Sequence, residues 1–220
     1  AAGSLFFCMA PRKDATKRAG RSIFFSEAEH ANVAVHSYAG RRALTLNGLG
    51  QGNLHIEPPR QLLESVLVAA VPLAHIERPE RALVVGLGAG VTVDFLTRVG
   101  VPSVEVVELE PTVADAVEVI FRGKSPLERS GVTLHINDAR HHLRLMRARG
   151  TAGYDVITSM PAHPWVAAPI FTQEFFELAR ESLSAGGVFA TWFGHWNIDD
   201  TSVRSLLRAF AAAFPYYLVY

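Results

Sequence analysis

The run Ala82-Leu83-Val84-Val85-Gly86-Leu87-Gly88-Ala89-Gly90, with Glu108 about 20 positions on, has the residue types and spacing to hold a nucleoside. An apolar run ending in alternate glycines lets the backbone turn sharply and approach a ligand that a Cβ would push away. Glu108 closes the next apolar run and could accept hydrogen bonds from ribose hydroxyls, and Pro111 places it just before a helix start. Asp138 follows a third apolar run and could accept from an adenine amino group; on the plainer reading it caps a helix. The turn is Gly-x-Gly-x-Gly with Val91 and Thr92 next, unlike the Gly-x-Gly-x-x-Gly of dinucleotide sites. An adenosyl ligand carried on sulfur therefore fits better than NAD. His141 and His142 are adjacent on a helix and point in different directions, which argues against shared metal ligation, and no metal site is expected. His195, between Trp192 and Trp196, either borders a substrate pocket or sits on its rim. Ser159 has no nucleophile-elbow sequence.

For these groups to meet, strand ends must share one crevice, as they do in a parallel sheet. The pattern supplies such a sheet. Ala82–Val85, Ser103–Val107, Val132–Ile136, Tyr154–Thr158, Val188–Phe193 and Tyr216–Tyr220 read as strands. Between them Val91–Val99, Thr112–Phe121, Asp138–Arg149, Thr172–Leu183 and Asp199–Ala213 read as helices. The prediction is an α/β chain whose residues 58–220 form a doubly wound, Rossmann-like sheet. Upstream, Ile23–Phe25, Asn32–Tyr38 and Arg42–Leu46 alternate and are broken at Gly40, Gly48, Gly50 and Gly52, which predicts a small antiparallel sheet over 22–57. Pro58-Pro59 then starts a helix running from Gln61 to Ala74.

Composition narrows the partners. The 220 residues carry 21 basic and 21 acidic side chains, so no global field recruits nucleic acid or an anionic membrane. A single cysteine, Cys8, excludes an internal disulfide and a cysteine-based zinc site, and points to a reducing, cytoplasmic setting. No apolar run reaches the roughly 18 residues that a membrane span needs. Residues 1–21 hold Leu5-Phe6-Phe7-Cys8-Met9 and then Arg12, Lys13, Lys17, Arg18 and Arg21, the wrong order for a secretory signal. They read as a linker or a disordered basic segment, or as the cytoplasmic end of a membrane anchor in a longer protein.

Residues 32–220 resemble the spermidine synthase family, a branch of the class I S-adenosylmethionine-dependent fold. Leu46-Asn47-Gly48-Leu49-Gly50-Gln51 is similar to the family's Leu-Asp-Gly-x-x-Gln turn, whose Gln faces the nucleoside. Glu108-Leu109-Glu110 is similar to its Glu-Ile-Asp, and Asn137-Asp138-Ala139 to its Gly-Asp-Gly/Ala. Pro161-Ala162-His163-Pro164-Trp165 and Phe171–Arg180 resemble bacterial spermidine synthase-like domains, many of them fused to membrane segments. The resemblance implies decarboxylated S-adenosylmethionine or S-adenosylmethionine as donor, without a metal. Gln51, Gly86, Gly88, Gly90, Glu108, Leu109, Asp138 and Ala139 would hold that donor, and a small amine would be the acceptor. It also implies a homodimer through the N-terminal sheet and a seventh, antiparallel strand between the fifth and the sixth. Tyr216–Tyr220 would lack that neighbour, so the natural polypeptide is expected to continue past Tyr220.

One departure bears on chemistry. The family follows its fourth strand with Asp-Ser-x-Asp-Pro, whose first Asp is the base or anchor for the attacking amine; here that position is Met160 and the second is His163. A thioether cannot take a proton at neutral pH, whereas an imidazole can, which makes His163 the candidate base. Glu64, Trp165 and His195 are the candidate acceptor contacts. The expected reaction is alkyl transfer from a sulfonium to an amine. The alternatives are methyl transfer and a domain that binds the nucleoside without turnover.

Overall fold

Seven strands lie side by side in one sheet, every neighbouring pair parallel, and five more form a separate antiparallel sheet. The computed structural model describes residues 3–8, 20–56, 59–61, 63–161, 167–194 and 198–219. In chain order the elements are β1 (Gly3–Cys8), β2 (Arg21–Glu27), β3 (Asn32–Tyr38), β4 (Arg41–Leu46), β5 (Leu49–Ile56), β6 (Pro59–Gln61), α1 (Leu63–Leu73), β7 (Arg81–Val85), α2 (Val91–Arg98), β8 (Ser103–Glu108) and α3 (Thr112–Phe121). They continue with β9 (Val132–Ile136), α4 (Ala139–Ala148), β10 (Tyr154–Ser159), α5 (Gln173–Glu181), β11 (Leu183–Phe193), α6 (Asp200–Ala213) and β12 (Tyr217–Val219). The large sheet runs β12-β1-β11-β10-β7-β8-β9, and the small one β2-β3-β4-β5-β6.

The central strands β7, β8 and β10 and the second half of β11 are largely buried on both faces, which is why their sequences are nearly continuous apolar runs. Side-chain alternation divides them between two cores. Ala82, Val84, Val104, Val106 and Val156 face the layer that holds Val93, Leu96, Val113, Val117 and Ile120 of α2 and α3. Leu83, Val85, Val107 and Ile157 face the opposite layer, built on Leu143 of α4, Phe175 and Phe176 of α5, and Phe210 of α6. The small sheet packs on the first layer through Val33, Val35 and Leu44. No helix among the described residues is long and apolar enough to cross a membrane.

Three expectations need correction. Gly3–Cys8, read as part of a linker, is a strand: it lies between β11 and β12, parallel to both, with Ser4 opposite Phe189 on one side and Tyr217 on the other. The place expected for an antiparallel seventh strand is thus filled by a parallel one from the other end of the sequence. Gly50 and Gly52, read as breaks, belong to β5, where a register shift opposite Leu44 and Thr45 absorbs the irregular backbone and Gly52 takes φ +138°. Pro59 opens β6 of the small sheet, so that sheet extends past 57 and the helix begins only at Leu63.

Candidate functional site

The site is built where β7, β8, β9 and β10 end. After Val85 the chain leaves the sheet through Gly86, Gly88 and Gly90, with φ of +84°, +51° and +77°, values an L side chain adopts only under strain. The Gly86 N–H donates to Val107 O at 2.8 Å, and the Leu87 N–H donates to Glu108 Oε2 at 2.8 Å. Glu108 Oε1 accepts from the Glu110 N–H at 3.0 Å. Glu108 is only 8% exposed, and burial pushes its carboxyl above the usual range against the N–H donations of Glu110, Leu87 and Leu109. A carboxylate offers about four lone-pair positions, so the group that shapes the turn keeps capacity for a ligand diol.

Glu110 joins the two sheets. Its Oε1 accepts from the Thr112 N–H at 2.9 Å at the start of α3, and its Oε2 accepts from the His30 N–H at 3.0 Å in the loop between β2 and β3. The small sheet roofs the turn at backbone distance: a Cβ on Gly88 would lie 3.4 Å from Gln51 O, and one on Gly52 would lie 3.2 Å from Ala89 Cβ. Between roof and strand ends is a cavity of about 400 Å³.

Most of the predicted donor residues line it. Gln51, Gly86, Gly88 and Glu108 do, as do Leu109, Asp138 and Ala139. Gly90 does not: a Cβ there would stand 2.9 Å from Val117 Cγ1 and 3.1 Å from Phe121 Cε2, so this glycine serves the packing of α2 on α3. Asp138 combines both of its readings. It caps α4, accepting from the Arg140 and His141 N–H groups, and it lines the cavity. Its carboxylate also pairs with the Arg140 guanidinium at 2.6 Å. That bond, with the capping N–H groups, holds the Asp138 carboxyl below the ordinary aspartate range. The sequence reading missed Arg140, which stands in the first turn of α4 at the rim of the cleft.

At the other end Met160 lines the cavity and packs against Val68, Val188 and Trp192. Thr158 also lines it, and the buried hydroxyls of Thr158 and Ser159 have no hydrogen-bond partner among the described residues. Ser65 contributes to the lining, whereas its neighbour Glu64, the expected amine contact, does not. His163, Trp165 and His195 lie outside the described residues.

The histidine pair needs restating. His141 and His142 do diverge, but the partner of His142 is His135, on β9, with ring centroids 4.6 Å apart. Both meet Glu105 on the face of β8 opposite Glu108. Sequence separation hid this, because only the strand order of the sheet brings the three together.

Sheet order, glycine turn and the acids at the ends of β8 and β9 define a methyltransferase-like α/β domain. Within that class, the sequence profile of the spermine/spermidine synthase domain matches residues 62–220, and the chain belongs to this family. It is 26% identical over 205 residues to a spermidine synthase of Coffea arabica, covering 88% of this chain and 62% of that one. It is 23% identical over 204 residues to a polyamine aminopropyltransferase of Streptococcus uberis, covering 90% and 69%. With putrescine N-methyltransferase 2 of Nicotiana attenuata it shares 24% identity over 221 residues, covering 97% and 58%. A crystal structure of spermidine synthase in complex with the transition state analogue AdoDATO superposes with a TM-score of 0.74 at 18% identity, over 89% of this chain and 66% of that one. That of the Thermotoga maritima spermidine synthase gives 0.70 over 89% and 65%. The chain thus spans about 62% of the Coffea relative's length.

Proposed function

We propose that the cavity binds an adenosyl nucleoside carrying a sulfur-linked chain, either decarboxylated S-adenosylmethionine or S-adenosylmethionine, and that the chemistry beside it is alkyl transfer to a small amine. The observation that carries this is the cradle itself: a turn free of Cβ at Gly86 and Gly88, against a buried Glu108 that the turn's own N–H orients. Glu108 would take the ribose hydroxyls and Asp138, with Ala139 beside it, the adenine edge. Support for the donor class comes from the solved spermidine synthase with AdoDATO, and for a small amine acceptor from the aminopropyltransferase relatives. The donor supplies its own activation, since a positive sulfur makes the adjacent carbon electrophilic. The protein's part is to orient donor and acceptor, exclude water and receive the amine's proton.

Met160 bears on that last task. At the position of the family's base it presents a thioether, which accepts no proton at neutral pH, so unassisted aminopropyl transfer is weak and the nucleoside binds with little turnover. Methyl transfer is the second reading, favoured by the match to a putrescine N-methyltransferase. Calorimetry with S-adenosylmethionine, its decarboxylated form and methylthioadenosine tests the site, with micromolar binding of at least one expected. Met160→Asp should raise aminopropyl transfer from the decarboxylated donor to putrescine by at least about a hundredfold, the lower end of what a positioned proton acceptor contributes. No binding of any of the three would remove the reading. Robust transfer by the unaltered chain would remove the role given to Met160.

A further inference from the structure

Behind the cleft, on the far face of β8 and β9, a polar cluster is set into the second apolar layer. Glu105 points away from Glu108, because the two stand three residues apart on one strand. Its Oε2 lies 3.1 Å from His135 Nε2 on β9, 3.7 Å from His142 Nε2 on α4 and 3.2 Å from the Tyr154 hydroxyl at the start of β10. The Tyr154 hydroxyl is itself 3.3 Å from His142 Nε2. His142 is 2% exposed, and none of the four residues lines the nucleoside cavity.

Two of these groups reach the one oxygen at hydrogen-bond distance, and the third, His142 Nε2, stands just beyond it. Both imidazoles turn Nε2 inward, and the donor atoms of Glu105, His135 and His142 all lie within 4.8 Å of one another. Four-coordinate zinc, with metal–ligand distances near 2.0–2.1 Å, sets its ligand atoms roughly 3.3 Å apart. The two separations from Glu105 Oε2, 3.1 and 3.7 Å, lie on either side of that value. The supporting contacts are in place as well. Arg81 Nη2 bonds Glu105 Oε1 at 2.7 Å, leaving only Oε2 to face the histidines. The Arg81 guanidinium also donates to Thr151 O at 2.9 Å and lies over the Tyr154 ring, 4.8 Å from its centroid. Outer contacts of this kind fix a carboxylate in a monodentate orientation.

We propose that Glu105 Oε2, His135 Nε2 and His142 Nε2 form a binding site for a divalent transition-metal ion of the zinc type, with water or the Tyr154 oxygen as fourth ligand. Two imidazoles and a carboxylate favour zinc, cobalt or nickel over magnesium or calcium, which prefer oxygen ligands. The histidines bind as neutral rings with the proton on Nδ1, and Glu105 as the carboxylate. The ion's role is structural. It pins β8, β9 and α4 together at their backs, and α4 is the helix that Asp138 caps at the rim of the cleft.

The test uses the full, tag-free chain stripped with chelator and titrated with Zn²⁺ or Co²⁺ alone, so it does not depend on any nucleoside. One equivalent should bind, Co²⁺ should give the visible absorption bands of a four-coordinate ion, and Zn²⁺ should raise the unfolding temperature. His142→Ala and His135→Gln should each weaken binding by more than about tenfold, the scale set by disturbing even an outer contact. His141→Ala, at an exposed neighbour whose ring faces Asn137, should leave binding unchanged. His135→Gln carries the test if the buried His142 variant does not fold. Sub-stoichiometric binding, or binding that survives His135→Gln, would reduce the cluster to a hydrogen-bonded network and overturn the proposal.

Discussion

Two glutamates three residues apart on β8 are served in opposite ways. Glu108 accepts from the backbone N–H groups of Leu87 and Glu110, and so fixes the shape of the loop around it. Glu105 accepts from Arg81, His135 and Tyr154, all side chains brought from other elements. The first arrangement is local: a glycine turn and the next strand's end are enough to make it. The second exists only because β7, β8, β9 and β10 are neighbours in the sheet. A carboxylate bound to backbone is part of the chain's path, while one bound to side chains is part of its packing.

The largest effect expected from this contrast separates the two acids themselves. Glu108→Ala strands two buried N–H groups at about 1–3 kcal/mol each and should lower stability by about 2–6 kcal/mol, abolishing nucleoside binding as well. Glu105→Ala leaves Arg81 and His135 about one-third exposed and able to rehydrate, and leaves the buried Tyr154 hydroxyl with His142 Nε2 still 3.3 Å away, so it should cost no more than about half as much. Urea denaturation of both variants decides it. Equal losses would break the comparison.

Next come the glycines of the turn. Gly90→Ala combines a left-handed φ, about 1–2 kcal/mol, with the approach to Val117, and should destabilise by about 2–4 kcal/mol in total. Gly86→Ala meets no atom within 4 Å and carries only the conformational strain of about 1–2 kcal/mol, yet its methyl group sits where the ligand would approach. Thermal melts and ligand calorimetry together should show Gly90→Ala failing mainly in folding and Gly86→Ala mainly in binding. The reverse pattern would remove the packing role given to Gly90.

The smallest effect belongs to Asp138. Loss of its cap should cost about 1 kcal/mol. Because its folded pKa is depressed, this contribution is fully present above the ordinary aspartate value of about 3.9 and fades as pH falls through the lower folded value. Urea melts of Asp138→Ala and the parent chain should therefore differ at pH 6 and converge at the acid end of the series. A gap that persists unchanged in acid would mean that the carboxylate's charge contributes nothing.

The same division explains what could be read in the sequence. Helices α2 to α6 and strands β7 to β10 fall within about two residues of their periodic patterns, because amphipathic spacing is a local signal. That Gly86, Gly88 and Glu108 stand together at the ends of these strands was legible for the same reason. The glycines of β5 were misread because a loop glycine and a bulge glycine look alike until the partner strand is known. Arg140 was missed because a helix-cap pattern shows only the backbone donors, and His135 with His142 because strand order is not written in any one segment. Gly90 was grouped with the ligand glycines, whereas the side chains of α3 lie against it.

Glu110 has a further consequence. It is 3% exposed, and its two oxygens are committed to amides on either side of the cleft, one in the loop of the small sheet and one at the head of α3. For the His30 amide to trade its hydrogen for deuterium, its bond to Glu110 has to break. The exchange lifetime of that one proton is therefore a clock for how often the loop between β2 and β3 parts from Glu110 at the edge of the cleft.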